Sequence, residues 1–502
     1  MGVKNLNKKE VYINNINITD SKNDIKIKSK NIRYKEDYYF TVITFGCKVN
    51  QSESDEIISE LNCYGLTHTG DITKSDIVII NTCTVTAQTD SKIRQFIRKV
   101  KRLNPKSKVF VTGCFVKFNE DFLKNLNIKN YYQNEEKNKI PKIVLRELKL
   151  DDGSKFIEKD SFYVKNCSVE HDSKSYKSNG NVNDIKNDNK NPKLLGKHTR
   201  HFIKIQDGCE QNCTYCIIPL VRGKYTSKMP DDIVNEIKFV QSIGLEEVVL
   251  TGIHLGNYGV DLNLNNSNEF NLAKLLNTII KTTNIKRIRL SSIEINEISP
   301  ELIEIIKKNK NVASHLHIPL QSGSNKILQL MKRPYDIEFF SSKINQIKKE
   351  IPDISITTDV MVGFPNEDEE DFNDTIKVVK EIKFSKVHVF KFSKREGTVA
   401  FSMNGQISEE IKQQRGEILR KICDGLRKTY LESFIGMTLS VLIEKINFID
   451  MIVTGMAENY IKVYAILRGD ESYVNTCIKI GKISDVKITG FFKDGLLGEI
   501  LF

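Results

Sequence analysis

Three cysteines within eight residues constrain this chain more than any other feature. Cys209, Cys213 and Cys216 are separated by three and then two residues, and a predicted strand from His201 to Gln206 leads into the loop that carries them. Three thiolates this close can bind three irons of a cubic 4Fe–4S cluster, and the fourth iron stays open because no fourth cysteine follows. An open iron is a place to bind a small molecule. The alternative is a zinc knuckle, which needs a fourth Cys or His at short spacing, and none is evident.

Length and composition narrow the class of protein. The 502 residues suffice for about three domains. The net charge of +12 fits a nucleic-acid partner, although Lys-rich and Asn-rich segments carry much of it. No run of about 18 apolar residues is present, so no membrane span is expected, and the N-terminus has no apolar signal-peptide core. We therefore expect a cytoplasmic location, where the ten cysteines serve metals or chemistry more often than disulfides.

A second set of three cysteines follows three predicted strands. The strands and the helices between them are Phe40 to Thr44, Ser52 to Tyr64, Asp76 to Ile80, Ser91 to Leu103 and Lys108 to Val111. This β-α-β-α-β order is typical of a doubly wound parallel sheet, in which ligands bind at the carboxyl ends of the strands. Cys47, Cys83 and Cys114 come just after these strands, so they should converge on one sheet edge as a second open cluster site. Asn50 and Asn81 are expected to hydrogen bond to its sulfurs.

The central part of the chain alternates strands with helices. Candidate strands are 201–206, 246–251, 286–291, 313–318, 354–360 and 386–392. Six such units predict an incomplete TIM-type (β/α)6 barrel with its site at the strand carboxyl ends. The fold class expected for the chain as a whole is therefore α/β.

The C-terminal part has a different pattern. Ser408 to Phe434 is predicted as an amphipathic helix whose apolar stripe, including Ile411, Ile418 and Leu419, packs in the core. From Ile435 the chain turns to short alternating strands, which predict a small β-barrel. Its Lys and Arg residues fit a surface that follows phosphates, although an ordinary solvated face would look the same.

Together these motifs resemble the radical S-adenosylmethionine (SAM) methylthiotransferases. One part of the resemblance is the C-x3-C-x2-C spacing with Tyr215 before its last cysteine. The rest is carried by Thr44-Phe45-Gly46-Cys47-Lys48-Val49-Asn50-Gln51, Asn81-Thr82-Cys83-Thr84-Val85 and Thr112-Gly113-Cys114. Gly-Cys-Lys-Val-Asn-Gln is most similar to the MtaB type, which acts on tRNA carrying N6-threonylcarbamoyladenosine beside the anticodon.

The resemblance implies the cofactors and the reaction. The cluster ligands that it implies are Cys209, Cys213 and Cys216 for SAM cleavage, and Cys47, Cys83 and Cys114 for an auxiliary 4Fe–4S cluster. A deoxyadenosyl radical from SAM would remove hydrogen from C2 of the modified adenine, the auxiliary cluster would deliver sulfur, and a second SAM would methylate it. The implied partners are the tRNA anticodon loop, a low-potential electron donor such as flavodoxin or ferredoxin, and a sulfur donor.

The resemblance also implies a SAM pocket at the strand ends of the barrel. Its expected residues are Tyr215, Thr251, Gly252, Ser292, Glu294, Gln321, Arg333 and Asp359. Arg222, just beyond the cysteine loop, is a further candidate, because a guanidinium there can hold the SAM carboxylate or a substrate phosphate. His315 and His317 share one face of a strand, and we expect them to be buried structural residues.

The resulting domain organisation has six parts. They are a disordered tail at 1–37, a methylthiotransferase N-terminal domain at 38–148, a low-complexity linker at 149–193, a radical SAM core at 194–405, a connecting helix at 406–434, and a barrel similar to the RNA-binding TRAM domain at 435–502. Two alternatives remain open. The same chemistry can serve isopentenyladenosine tRNA or a ribosomal-protein aspartate, and a non-catalytic, zinc-containing RNA-binding protein is the alternative of another class.

Overall fold

A computed structural model describes residues 38–150, 199–263, 269–468 and 478–501. The predicted tail at 1–37 lies outside the described residues, and so does nearly all of the linker predicted at 149–193. Within the described ranges, no helix is both long and apolar enough to cross a membrane.

The N-terminal domain is a parallel sheet of five strands in the order β2-β1-β3-β4-β5. The strands are β1 (Tyr39–Thr44), β2 (Thr67–His68), β3 (Ile77–Thr82), β4 (Lys108–Gly113) and β5 (Asn130–Tyr132). The helices are α1 (Lys48–Cys63), α2 (Ala87–Leu103), α3 (Glu120–Asn125) and α4 (Ile140–Glu147). Every residue of β3 is buried. Ile77 and Ile79 pack with α1 and α4, whereas Val78 and Ile80 pack with α2 and α3. A continuous apolar run here makes a strand covered on both faces, as predicted.

Glu60 in α1 gives the N-terminal domain a pH-dependent stability. Burial, with a smaller contribution from Glu56, raises the pKa of Glu60 to about 7 against the opposing effect of Lys142. The unfolded chain loses this proton near pH 4.5, so stability falls as the pH rises from about 4.5 to 7. We expect Glu60→Gln to stabilise the domain at pH 8 by about 1–2 kcal/mol and to have little effect at pH 4.

Thermal unfolding at pH 4 and pH 8 measures this effect. Glu120→Gln is the control, because Glu120 forms a surface pair with Lys124 at 3.7 Å and should change stability little at either pH. An equal shift of Tm at both pH values in Glu60→Gln would contradict the assignment.

The central barrel is an arc of six parallel strands with one antiparallel strand at its edge. The strands are β6 (His201–Asp207), β7 (Thr226–Ser227), β8 (Glu247–Gly252), β9 (Arg287–Leu290), β10 (His315–His317), β11 (Ser355–Val362) and β12 (Lys386–Lys391). The helices are α5 (Ile218–Arg222), α6 (Pro230–Ser242), α7 (Leu272–Thr282), α8 (Pro300–Lys308), α9 (Asn325–Leu330), α10 (Ile337–Glu350) and α11 (Glu369–Ile382). Single bridges, such as Ser292 to His317, join the sheet β7-β6-β8-β9 to the sheet β10-β11-β12. The predicted incomplete (β/α)6 barrel is confirmed.

The C-terminal part is a long helix followed by a closed barrel. The elements are α12 (Glu409–Glu432), β13 (Thr438–Asn447), β14 (Ile452–Ala457), β15 (Lys462–Ile466), β16 (Ile483–Phe492) and β17 (Gly495–Ile500). The strands close in the order β13-β14-β15-β17-β16, so the predicted small barrel is confirmed. The predicted apolar stripe of α12 is wrong in part. Leu419 is buried, but Ile411 and Ile418 are each 41% exposed, because only one side of α12 packs on the central barrel.

The turn between β14 and β15 closes the amino-terminal end of the central barrel. Arg289 donates from Nη2 to the carbonyl of Ala457 at 2.7 Å, and Ser355 donates from Oγ to the carbonyl of Asn459 at 3.1 Å. The ring of Tyr460 lies 4.3 Å from the Arg289 guanidinium. With this end closed, the carboxyl ends of the strands are left for a functional site.

Candidate active site

The first cysteine trio lies in the loop that follows β6. Cys209 donates its N–H to the carbonyl of Gly223 at 3.0 Å, and Cys216 donates its N–H to the carbonyl of Cys213 at 3.0 Å. Gly208 makes the turn into this loop with φ +73°, and a Cβ there would lie 1.8 Å from a backbone oxygen of Lys224. Only glycine fits that position. The loop therefore presents three half-buried thiols at the carboxyl end of the first barrel strand.

Arg333 connects this loop to the end of β9. Its Nη1 lies 3.2 Å from Cys213 Sγ and 3.4 Å from Tyr215 Oη. Its Nη2 donates to the carboxylate of Glu294, whose pKa burial raises. Arg333 is therefore a cation that lies next to the Cys213 thiol and is paired with Glu294. Arg333, Glu294 and Tyr215, all predicted for the SAM pocket, contact one another beside Cys213.

Gln321 has the clearest unmet polar group among the predicted pocket residues. It adopts φ +67°, which is a left-handed conformation for a residue with a side chain. Its Oε1 is buried and has no hydrogen-bond partner among the described residues. SAM carries an ammonium group and ribose hydroxyls, which are donors of the kind that such an oxygen lacks. The chain's own residues therefore fit this cofactor.

The remaining predicted pocket residues line the same carboxyl end of the barrel. Thr251 is buried at the end of β8, and a Cβ on Gly252 would lie 3.0 Å from the side chain of Gln206. Ser292 follows β9 and pairs with β10. Asp359 on β11 lies 3.3 Å from His317 Nε2. Thr251, Gly252, Ser292 and Asp359 therefore lie at or near the carboxyl ends of three barrel strands, β8, β9 and β11.

His254 is a site residue that the sequence interpretation missed. Its Nδ1 lies 3.4 Å from Cys209 Sγ, and its Nε2 contacts the carboxylate of Glu297. Burial lowers the pKa of His254, but the hydrogen bonds with Cys209 and Glu297 outweigh burial and raise the pKa to about 10. The signal was its place three residues after Thr251 at a strand end. His254 therefore presents a cationic ring to the first thiol of the loop.

The predicted histidines of β10 share a face, as expected. His315 Nε2 and His317 Nδ1 both contact Thr357 Oγ1, at 3.0 Å and 2.9 Å. His315 is buried, whereas the His317 side chain is 14% exposed and faces Asp359. The buried structural role therefore holds for His315.

The second cysteine trio lies at one edge of the N-terminal sheet. Cys47 directly precedes α1, Cys83 follows β3 and Cys114 follows β4, and the strand register aligns these three ends. Burial raises the pKa of the Cys83 thiol to about 12, and Cys114 and Cys47 are near enough to raise it further. Cys47 is exposed, while the other two are buried. The three thiols thus share one site with a solvent-facing side.

The amino terminus of α1 is directed at Cys47. The helix begins at Lys48, four residues before the predicted start, and no side chain caps it. Its first turn carries no acidic residue, so the N–H groups of this turn and the positive end of the helix dipole lie at the Cys47 position. The sequence did not predict this helix start, because cysteine is not a favoured N-cap residue and polar residues follow it.

Two asparagines contact the second trio. Asn134 donates from Nδ2 to Cys114 Sγ at 3.3 Å. Asn50 was expected to donate to a sulfur, but its Oδ1 accepts from the Cys47 thiol at 3.3 Å and its amide nitrogen donates to Asn81 Oδ1 at 3.1 Å. The expected contact of Asn81 with a sulfur is wrong, since its amide donates to the Asn50 carbonyl at 2.8 Å and to a serine hydroxyl. Asn81 therefore orients Asn50. The hydrogen bond to a sulfur that was expected from Asn81 is made by Asn134 instead.

The donor sets of both trios fit an iron–sulfur cluster. Each trio offers three thiol ligands, which can bind three irons of a cubane and leave the fourth iron open. Thiolates are the ligands that iron–sulfur clusters use, so the residues present fit this cofactor. Away from the trios, Cys423 is a buried free thiol.

Arg222 does not take the predicted role of an anion-binding residue. It is buried, and its Nη1 donates to Glu53 at 2.9 Å and to Asp207 at 2.8 Å. Lys137 and Lys204 also donate to Glu53, at 2.5 Å and 3.2 Å. This network joins the N-terminal domain to β6 between the two trios, so the Arg222 charge is used within the protein.

Comparison with known proteins places these modules in two families. Residues 39–132 match the family described as "Uncharacterized protein family UPF0004", and residues 203–379 match the radical SAM superfamily. Among solved structures, the radical SAM methyltransferase TsrM from Kitasatospora setae, with cobalamin and a [4Fe-4S] cluster bound, is similar with a TM-score of 0.50. It is 12% identical, and the match covers 73% of this chain and 77% of that chain. It shows the fold alone.

Curated relatives match along nearly their whole length. Threonylcarbamoyladenosine tRNA methylthiotransferase MtaB from Bacillus subtilis (strain 168) is 35% identical, over 87% of this chain and 92% of the relative. MtaB from Thermotoga maritima is 32% identical, over 90% and 95%. A tRNA-2-methylthio-N(6)-dimethylallyladenosine synthase from Thermodesulfovibrio yellowstonii is 32% identical, over 91% and 97%.

Proposed function

This chain belongs to the radical SAM methylthiotransferase family, and we propose that it adds a methylthio group to C2 of N6-threonylcarbamoyladenosine at position 37 of tRNA. The observation that carries the activity is the presence of two three-thiol sites in one chain, each at the carboxyl ends of a parallel sheet. Sulfur insertion needs both a source of a radical and a source of sulfur, and two such sites provide for both. The MtaB relatives from Bacillus and Thermotoga support threonylcarbamoyladenosine as the acceptor.

We propose that the two trios have separate roles. Cys209, Cys213 and Cys216 would hold one 4Fe–4S cluster, and Cys47, Cys83 and Cys114 would hold the other. When bound, the clusters supply the electron that cleaves SAM and the sulfur that reaches the substrate. The protein supplies position and charge around them. His254 and Arg333 bring cationic groups to the first trio. The second trio has the positive end of the α1 dipole at Cys47 and the Asn134 amide as a hydrogen-bond donor to Cys114.

SAM would bind at the carboxyl end of the central barrel. Gln321 offers its unpaired oxygen there, and the Arg333–Glu294 pair stands beside the thiols. The other residues proposed for this pocket are Tyr215, Thr251, Gly252, Ser292 and Asp359.

The partners follow from the reaction. The anticodon loop presents an unpaired base, and we propose that the C-terminal barrel is a TRAM-like element that holds the tRNA. The reaction needs a low-potential electron donor such as flavodoxin or ferredoxin and a sulfur donor. We propose a cytoplasmic location, which a tRNA substrate supports. We assign residues 38–148 and 194–405 as the two cluster domains.

Nucleoside analysis by mass spectrometry tests the acceptor. A deletion strain should lose 2-methylthio-N6-threonylcarbamoyladenosine and accumulate the unthiolated nucleoside. The intact gene should restore the product, whereas a Cys213→Ala gene should not. If the level of this nucleoside is unchanged and dimethylallyladenosine loses its methylthio group instead, the acceptor is dimethylallyladenosine and the proposed function is wrong.

A further inference from the structure

A cavity of about 360 Å³ opens beside Cys47, where the three parts of the chain meet. This volume lies in the range of ligand pockets, roughly 300–1,000 Å³. The residues of its wall that concern a ligand are Cys47, Lys48, Gln51, Arg200, Phe202 and Glu444. A base in this cavity would contact the exposed thiol of the second trio and the ring of Phe202.

The two cations on the cavity wall differ in their partners. Arg200 pairs with Glu444 at 2.8 Å and lies 3.7 Å from Glu247, so its charge is compensated. Lys48 has no carboxylate partner among the described residues. Its Nζ lies 5.0 Å above the ring of Tyr460, which holds the side chain in place through a cation–π contact. The Lys48 ammonium group is therefore fixed in position by Tyr460, and its charge is available to a ligand.

The other cations near Tyr460 are paired. The guanidinium groups of Arg289 and Arg200 lie 4.3 Å and 5.7 Å from its ring. However, Arg289 donates to Glu247 at 2.7 Å, and Arg200 pairs with Glu444. The first turn of α1, which starts at Lys48, carries no acidic residue. Among the described residues on this wall, Lys48 therefore carries the uncompensated positive charge, which suits a ligand group that is negatively charged.

The geometry of adenine connects this cation to the substrate. C2 and C6 are both bonded to N1, so a substituent on N6 leaves the ring along the same edge as C2. If the sulfur reaches C2 from the site at Cys47, the N6 substituent must lie close to that cysteine. A threonylcarbamoyl group ends in a carboxylate, whereas a dimethylallyl group is uncharged and would leave Lys48 desolvated without a partner.

We propose that Lys48 binds the carboxylate of the threonylcarbamoyl group and so selects this tRNA modification over uncharged ones. This deepens the proposed function and depends on it. A charge-assisted hydrogen bond between ammonium and carboxylate makes the selection, and Lys48 directly follows Cys47 on the wall of the same cavity.

Binding of anticodon stem-loop RNAs to the full-length, anaerobically reconstituted protein tests the proposal. The loops carry adenosine, N6-threonylcarbamoyladenosine or its methyl ester at position 37, and fluorescence anisotropy at one salt concentration gives each Kd. In the unaltered protein, the threonylcarbamoyl loop should bind more tightly than the adenosine loop by roughly tenfold or more. The methyl ester should lose this preference, because it removes the negative charge.

The variants make the same comparison from the protein side. Lys48→Gln should reduce the preference to near one, Lys48→Arg should keep most of it, and Lys74→Gln, an exposed lysine of the same domain, should keep all of it. Iron content confirms that each variant is loaded. A preference that survives Lys48→Gln, or one that survives esterification in the unaltered protein, would overturn the proposal. If the unaltered protein instead thiolates only a dimethylallyl loop, the proposed function itself is wrong. That outcome is distinct from a failure of the Lys48 variants to change the binding preference.

Discussion

Replacing Cys47 by alanine is expected to abolish methylthio transfer while SAM is still cleaved. Cys47 belongs to the N-terminal sheet, whereas Cys209, Cys213 and Cys216 belong to the central barrel. Loss of Cys47 from the second trio leaves the three thiols of the first trio intact. The iron content after reconstitution should fall from about eight to about four per chain, following the count of two 4Fe–4S clusters. Iron analysis, and chromatography of 5′-deoxyadenosine and of the RNA product, measure the three quantities.

Two further variants complete this experiment. Cys209→Ala should lose SAM cleavage and transfer together and should also retain about four irons. Cys423→Ala is the matched control, since Cys423 is a buried free thiol in α12 away from both trios. It should keep all the iron and both activities. A well-folded Cys47→Ala protein that no longer cleaves SAM would argue against two separable sites.

Glu53→Gln should separate the N-terminal domain from the central barrel. Glu53 is buried, and Arg222, Lys137 and Lys204 donate to it. Without its charge three cations lose their shared partner, and breaking a buried ion pair costs about 3–5 kcal/mol. We expect a loss of this size in the free energy of unfolding of the N-terminal domain, measured by urea denaturation. Glu147→Gln is the control, because its pair with Lys108 is exposed and contributes less than about 1 kcal/mol.

The loss should depend on pH in a stated direction. Burial alone would raise the pKa of Glu53, but Arg222, Lys137 and Lys204 hold it well below its usual range. The stabilisation is therefore present above pH 4.5 and is lost only as the pH falls toward the folded-state pKa. The difference between Glu53→Gln and the unaltered protein should be constant from pH 6 to 8 and should shrink in acid. A difference that grows in acid would contradict this role of Glu53.

The fold could be predicted from the sequence because its signals are local. Buried runs such as Ile77 to Thr82, alternating with amphipathic helices, indicate a parallel sheet without knowledge of what lies beside it. The placing of Cys47, Cys83 and Cys114 at one sheet edge followed from the rule that parallel strands share their carboxyl ends.

What the sequence did not reveal depends on contacts between distant segments. Arg222 follows the cysteine loop and was predicted to bind an anion, but Glu53, 169 residues away, neutralises it. His254 became a site residue because the loop brings Cys209 to it across 45 positions. The free charge of Lys48 is visible only once Arg200 is seen to be paired with Glu444. Partners of this kind are set by domain packing, which no local pattern encodes.

Mass spectrometry of a reaction between the reconstituted protein, SAM, a reductant and a stem-loop RNA carrying N6-threonylcarbamoyladenosine tests the central claim most directly. We expect the RNA to gain one methylthio group in place of the hydrogen at C2 and deoxyadenosine to form alongside. Formation of 5′-deoxyadenosine with no change in the mass of this RNA would contradict the claim. It would do so whether a dimethylallyladenosine loop in the same mixture is thiolated or neither loop is.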